Sequence, residues 1–216
     1  WEPAVARGKI RLARGVLTGE LRYTARLKKR FDLCLMCLAC AAACPSGVRV
    51  DRVVLAARAA LAEVRGLGVP VRTALSTMRR PRLLRAAART LSGLQALFFR
   101  RHAADTRLRF PLGLEWRRVF PPLAAVPFTD RVPEQVPVRG AGCRAALFVG
   151  CLANFIYTAV GDAAVRALNA AGVALVVSKE QHCCGYPALV NGATDLVREM
   201  ARSHVRIFDA LKCDAV

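Results

Sequence analysis

The apolar positions of the chain change period near residue 140. Before it they recur every three or four residues, the helical signature; after it they form short unbroken runs between helical stretches. Residues 1–30 are polar and basic and read as helical, with Gly8 and Gly19 as punctuation and Leu12, Val16 and Leu21 as a modest apolar stripe. Asp51 reads as an N-cap. Val54, Ala57, Leu61 and Val64 follow at spacings of three, four and three, one face of an amphipathic helix ending near Gly66. A further stripe joins Leu83, Leu84, Ala87, Leu91, Leu94 and Phe98, with Arg82, Arg85 and Arg89 on another side and Pro81 suited to the first turn. Prolines at 121, 122, 127, 133 and 137 mark 119–140 as an extended linker and the best domain boundary. Beyond it, residues 145–149 form a buried strand ending at Gly150-Cys151, 161–171 a helix closed by Gly172, 173–177 a second strand, and 192–211 another helix. Ala215-Val216 begins a third strand. That alternation predicts a parallel α/β unit, whose sites collect at the carboxyl ends of the strands.

An apolar fraction of 55% in 216 residues supports a real core and excludes wholesale disorder. No apolar run reaches 18 residues, so no transmembrane helix is expected. The net charge is +19, carried by 29 Arg and 5 Lys. No nucleic-acid-binding module accompanies it, and no nucleic-acid partner is expected. Residues 65–118 concentrate the charge, with 13 Arg against Asp105 and Glu115. They read as a solvated spacer or as a basic element touching anionic lipid or an acidic partner. The start, Trp-Glu-Pro-Ala-Val, shows no Met and no signal segment, and the chain reads as a fragment cut at both ends.

Candidate chemistry lies in the nine cysteines. Cys34, Cys37, Cys40 and Cys44 fall in the spacing C-x2-C-x2-C-x3-C-P, the bacterial ferredoxin pattern for a [4Fe–4S] cluster. Two-residue gaps aim successive thiolates at neighbouring irons, and Pro45 stops the helix from running through the last ligand. Structural zinc favours two separated cysteine pairs instead. In two-cluster ferredoxins the fourth cysteine serves the other cluster. Either Cys44 does so here, or it closes the single cluster itself. Clustered thiols argue for metal rather than disulfides and so for a reducing compartment. The cytoplasm is expected, with the inner face of the cell membrane as a peripheral alternative.

A second constellation joins Cys151 to Cys183-Cys184-Gly185, with 31 residues between the first two cysteines. Cys151 and the cysteine pair each follow a predicted strand and should meet at one sheet edge. Adjacent cysteines rarely bond to each other, whereas neighbouring thiolates suit a second metal or redox site, and Gly185 allows close backbone approach. His182 reads mainly as a loop residue, its alternatives a hydrogen bond to a sulfur or protonation of a substrate thiolate; Lys179 reads as a solvated lysine, its alternative an offset of cluster charge; Asn154 and Tyr157 are secondary candidates for lining the site. Cys143 and Cys213 read as ordinary thiols.

Together the two constellations resemble the iron–sulfur subunits related to heterodisulfide reductase, which include those of glycolate oxidase, lactate-utilisation complexes and anaerobic glycerol-3-phosphate dehydrogenase. Their cysteine-rich domain has the form C-x31-38-C-C-G followed by C-x-x-C. Cys151, Cys183, Cys184 and Gly185 match the first part; the second would fall beyond Val216. Residues 6–10 and 15–21 are similar to the glycolate and lactate members, and imply a first ferredoxin motif upstream. Residues 168–172, 178–180 and 191–195 look more like the glycerol-3-phosphate subunit. The resemblance implies an α+β multidomain chain. It would have an α-helical ferredoxin-like domain (1–67), a basic helical spacer and proline-rich linker (68–140) and a truncated α/β CCG domain with a parallel βαβ core (141–216). It implies a second iron–sulfur cluster, non-cubane or cubane, at the CCG site. It also implies an FAD-containing oxidase or dehydrogenase partner for glycolate or lactate, and electron delivery toward quinone or another acceptor. The rivals are a glycerol-3-phosphate dehydrogenase subunit, disulfide reduction at the CCG site itself, and a zinc-stabilised basic module.

Overall fold

The structure, a computed structural model, describes residues 2–102, 105–108 and 119–216. The remainder of the arginine-rich zone, Glu115 included, lies outside the described residues. After a 3-10 turn at Glu2–Ala4, the order is α1 (Ala6–Leu17), α2 (Ala25–Asp32), α3 (Ala39–Ala42), α4 (Val50–Arg65), α5 (Val69–Met78) and α6 (Pro81–Phe98). Then come β1 (Phe99–His102), β2 (Asp105–Leu108), β3 (Val119–Phe120), α7 (Phe128–Arg131), β4 (Gln135–Val136) and β5 (Cys143–Ala146). The chain ends with α8 (Gly150–Phe155), α9 (Thr158–Ala170), β6 (Val173–Val176), α10 (Tyr186–Val190) and α11 (Thr194–Ala210). It divides into two compact units, one running to Leu75 and adding Gly185–Glu199, the other comprising Ser76–Cys184 and Met200–Val216.

The first unit is helical. Its core is Leu27, Phe31, Met36, Val50, Val54 and Leu61, with Ile10, Leu12 and Val16 of α1 packed on it. Gly8 does not punctuate α1 but lies inside it. A Cβ there would sit 1.8 Å from the Glu2 carbonyl oxygen, so the glycine admits the preceding turn. Asp51 is not the N-cap of α4; Arg49 holds that position. The Asp51 carboxylate lies in the first turn, where the helix dipole favours it, and accepts two bonds from the Arg49 guanidinium at 2.9 and 2.7 Å. The buried face of α4 is Val50, Val54, Arg58 and Leu61, whereas Val64 is exposed. Gly66 ends the helix at φ +70°, as the sequence implies.

The second unit holds two small sheets. β1, β2 and β3 pair antiparallel in that order. In the other sheet β6 is central, with β5 parallel to it and β4 antiparallel on its far side. The strands are shorter than the apolar runs: β5 stops at Ala146 and β6 at Val176. Ala215 adds a single parallel bridge to Ala145. The proline-rich stretch is not a free linker, and the compact units divide at Leu75 instead. It contributes β4, buries Phe128 against Gly161, and ties down its non-proline amides. The Ala124 amide donates to the Phe155 carbonyl (2.8 Å), and Asn154 Oδ1 accepts from the Thr129 amide (2.9 Å) and hydroxyl (3.1 Å). Several of the amides between the prolines thus take specific acceptors. In α6, Pro81 takes the first turn, but no residue of its apolar stripe is fully buried. Arg89 and Arg85 pair with Asp130 at 2.9 and 3.8 Å. No described helix is long and apolar enough to cross a membrane.

Candidate functional site

The four-cysteine run forms the loop between α2 and α4, with Cys40 on α3. Its shape comes from two non-glycine residues in the left-handed region, Met36 (φ 55°) and Leu38 (φ 63°). Each costs about 1 kcal/mol, so the surroundings must hold them. Cys37 is exposed, and Cys34, Cys40 and Cys44 are half-buried. The Val48 amide donates to Cys44 Sγ at 3.3 Å.

The loop is gripped by a residue that the motif did not reveal. Arg58, buried on α4, donates to the carbonyls of Phe31 (2.8 Å), Cys34 (2.7 Å) and Val190 (3.1 Å). Tyr186 Oη donates to the Met36 carbonyl at 3.4 Å. Gly192, at φ +79°, lies so close that a Cβ would be 2.4 Å from the Arg58 carbonyl oxygen. Residues 185–199 therefore complete the cysteine loop's support within the first unit. Arg58 was legible in principle: it interrupts an apolar face at Val54 and Leu61, where a cation needs buried acceptors.

The second constellation lies in the other unit. Gly150, at φ +67°, turns the chain out of β5 into α8 and places Cys151 there. Cys183 Sγ donates to Cys151 Sγ at 3.9 Å, and the two are not bridged by a disulfide. Cys183 is buried and Cys184 exposed. The hydrogen bond from Cys183 lowers the Cys151 thiol to about 7, against the opposing effects of burial and of the neighbouring Cys184 charge. Gln181 joins the two strand-end loops. Its Nε2 donates to the carbonyls of Leu147 (3.2 Å) and Ser178 (2.9 Å), and its Oε1 accepts from the Val149 amide (2.8 Å).

His182 is more than a loop residue. It is buried, and its Nδ1 lies 3.0 Å from the Cys183 carbonyl oxygen. His204 Nε2 reaches the same oxygen at 3.1 Å, and the two rings pack with centroids 3.9 Å apart. The Cys183 amide donates to the Met78 carbonyl at 3.3 Å. The CCG backbone is thus held at both polar groups of Cys183. Gln181 and His204 escaped sequence reading; for His204 the signal was its place four residues after buried Met200 on α11. Asn154 anchors Thr129, Tyr157 is exposed, Lys179 is exposed, and Gly185 begins α10 at φ +88°.

The donor chemistry fits iron–sulfur ligation. Both constellations offer thiols outside any disulfide, most of them partly exposed, with a backbone amide on one sulfur and a close sulfur pair at the other. Among the described residues, no three His, Cys, Asp or Glu side chains converge on a single-ion metal site.

Residues 145–216 match the family model described as a cysteine-rich domain, CCG. The chain is 36% identical over 89 residues to an uncharacterized iron–sulfur protein of Methanococcus maripaludis, covering 41% of this chain and 18% of that one. It is 28% identical over 223 residues to the probable glycolate oxidase iron–sulfur subunit of Bacillus subtilis, covering 97% and 49%. It is 35% identical over 60 residues to a subunit of the anaerobic glycerol-3-phosphate dehydrogenase of Escherichia coli, covering 28% and 15%. The chain thus spans about half or less of the length of these relatives. No solved structure matches.

Proposed function

We propose, from the match of residues 145–216 to the cysteine-rich domain model, that this chain is the electron-transfer part of an oxidoreductase complex. In this reading it is an iron–sulfur subunit serving a separate FAD-containing dehydrogenase for a 2-hydroxyacid such as glycolate or lactate, and passing electrons toward quinone or another acceptor. The observation that carries the reading is the pairing of Cys151 with Cys183 at 3.9 Å in a chain that also holds the C-x2-C-x2-C-x3-C-P run.

Cys34, Cys37, Cys40 and Cys44 would hold a [4Fe–4S] cluster, and Cys151, Cys183 and Cys184 a second one. Thiolate-bound iron–sulfur clusters supply one-electron transfer. The protein's own part is to fix the sulfurs and limit water. Arg58 holds the first loop through the backbone carbonyls of Phe31 and Cys34. Gln181, His182 and His204 hold the second site through backbone carbonyls and amides.

Anaerobic preparation of the chain, extended to its relatives' length, tests this directly. Iron, sulfide and a broad absorbance near ~400 nm are expected; zinc without iron would overturn the reading. Replacing Cys37 and Cys40 by Ser should remove iron that replacing Cys151 and Cys183 leaves in place, and the reverse.

A second reading, disulfide chemistry at Cys151 and Cys183, is favoured by their contact and by the lowered Cys151 thiol. Thiol formation from an added disulfide that is lost in Cys151→Ser and independent of a flavoprotein would select it.

A further inference from the structure

In the second unit, the start of α6, the 178–182 loop and the later turns of α11 enclose a cleft of about 940 Å³. We infer that this cleft binds a small polyanion carrying two or more phosphate or carboxylate groups. Its volume falls in the range of small-molecule sites, about 300–1,000 Å³. Six cationic side chains line it, Arg79, Arg80, Arg82, Arg85, Lys179 and Arg206, against Glu134 and Glu180. Arg85 is occupied with Asp130, and Arg79 has interactions of its own. Arg80, Arg82, Lys179 and Arg206 have no ion-pair partner among the described residues.

Uncompensated cations on a convex surface are simply solvated. In a concavity they focus one sign of potential, and the like charges repel until an anion enters. The charges also come from separate elements: Arg80 and Arg82 from the start of α6, Lys179 from the loop, Arg206 from α11. A ligand with one anionic group per wall satisfies both sides.

The α6 terminus adds neutral donors. The Leu84 amide is the first to bond back, to the Arg80 carbonyl at 2.9 Å. The amides of Arg82 and Leu83, both on the cleft wall, thus precede the helical ladder, and the first turn holds no acidic residue to satisfy them.

The cleft adjoins the thiol site. Pro81, Arg85, Lys179 and His182 line both the cleft and a narrower space of about 10 Å³ that reaches Cys151. Any redox consequence of that adjacency rests on the function proposed above; binding of the anion does not.

Titration calorimetry of the full chain with inorganic pyrophosphate, and separately with citrate, tests the inference. Saturable one-to-one binding is expected, tighter at low salt. Removing two charge-assisted contacts in Arg82→Gln/Arg206→Gln should weaken it about a hundredfold. Arg139→Gln/Arg166→Gln lowers the net charge equally in exposed residues of the same unit that do not line the cleft and should leave binding unchanged. Ser203→Asp, which puts a carboxylate on the cleft wall, should weaken it without removing any cation. Absence of saturable binding, equal loss in both double variants, or binding of poly-glutamate but neither small anion would overturn the inference. Iron measured on the same samples separates the two readings. Anion binding without iron would leave this site standing and remove the cluster. Iron without anion binding would do the opposite.

Discussion

Arg58→Ala is the most searching substitution in the first unit. The guanidinium is buried and donates to three carbonyls, those of Phe31, Cys34 and Val190, at 2.8, 2.7 and 3.1 Å. The Phe31 oxygen would keep the Cys34 amide at 3.0 Å, whereas the other two lose the bonds described. An acceptor left unpaired in the interior costs about 1–3 kcal/mol. Two of them, with the lost packing of the stem, come to about 3 kcal/mol, less whatever water recovers. Such a loss should accelerate hydrogen exchange at the Cys34 amide about a hundredfold, if exchange occurs by local opening of the loop. Arg58→Lys should recover only part, because one ammonium cannot replace a planar fork across three acceptors. Arg65→Ala, on the exposed end of the same helix, should change exchange by less than about twofold. Mass spectrometry of exchanged peptides spanning residues 27–37 reads all three variants. Unchanged exchange in Arg58→Ala, or equal acceleration in Arg65→Ala, would refute the idea that Arg58 fixes the cysteine loop.

Gly192→Ala should destabilise the first unit by about 2 kcal/mol or more, because its Cβ would meet the Arg58 backbone at 2.4 Å and its φ is +79°; a chemical melt followed by circular dichroism measures it. Gln181→Ala removes three hydrogen bonds, two of them between the strand-end loops, and thermal denaturation should show a loss of about 2 kcal/mol. In metal-free protein, alkylation of Cys151 should rise about tenfold per pH unit below about 7 and level off above it, since the thiolate is the nucleophile. Cys183→Ala removes the donor that lowers this thiol and should move the midpoint upward, as resolved by peptide mass analysis.

The motif cysteines and the elements around them were legible because their signals are local. Ligand spacing, the proline at the start of α6, the glycine after α4 and the alternation of apolar runs with helices each depend on a few neighbouring residues. What escaped depends on distant acceptors. Arg58 visibly interrupts an apolar face, but what it holds stays hidden until the Val190 carbonyl is placed beside it. The proline-rich stretch reads as a spacer until Asn154 and Gly161 give it something to pack on. His182 and His204 are 22 positions apart, and only the fold makes them share one carbonyl. The apolar stripe of α6 erred the other way: its period is helical, yet period alone does not bury a face.

The cysteine loop is finished by chain that is made much later. Arg58 waits for Val190 across 132 positions, and Met36 waits for Tyr186 across 150. At ribosomal speeds of about 5–20 residues per second, that delay is roughly 7–30 s. During it the four thiols emerge with their brace incomplete, open to oxidation or to scavenging of stray metal. A shortened gene product ending before Gly185 would remain in that condition permanently, so iron loading should depend on residues that carry no ligand at all.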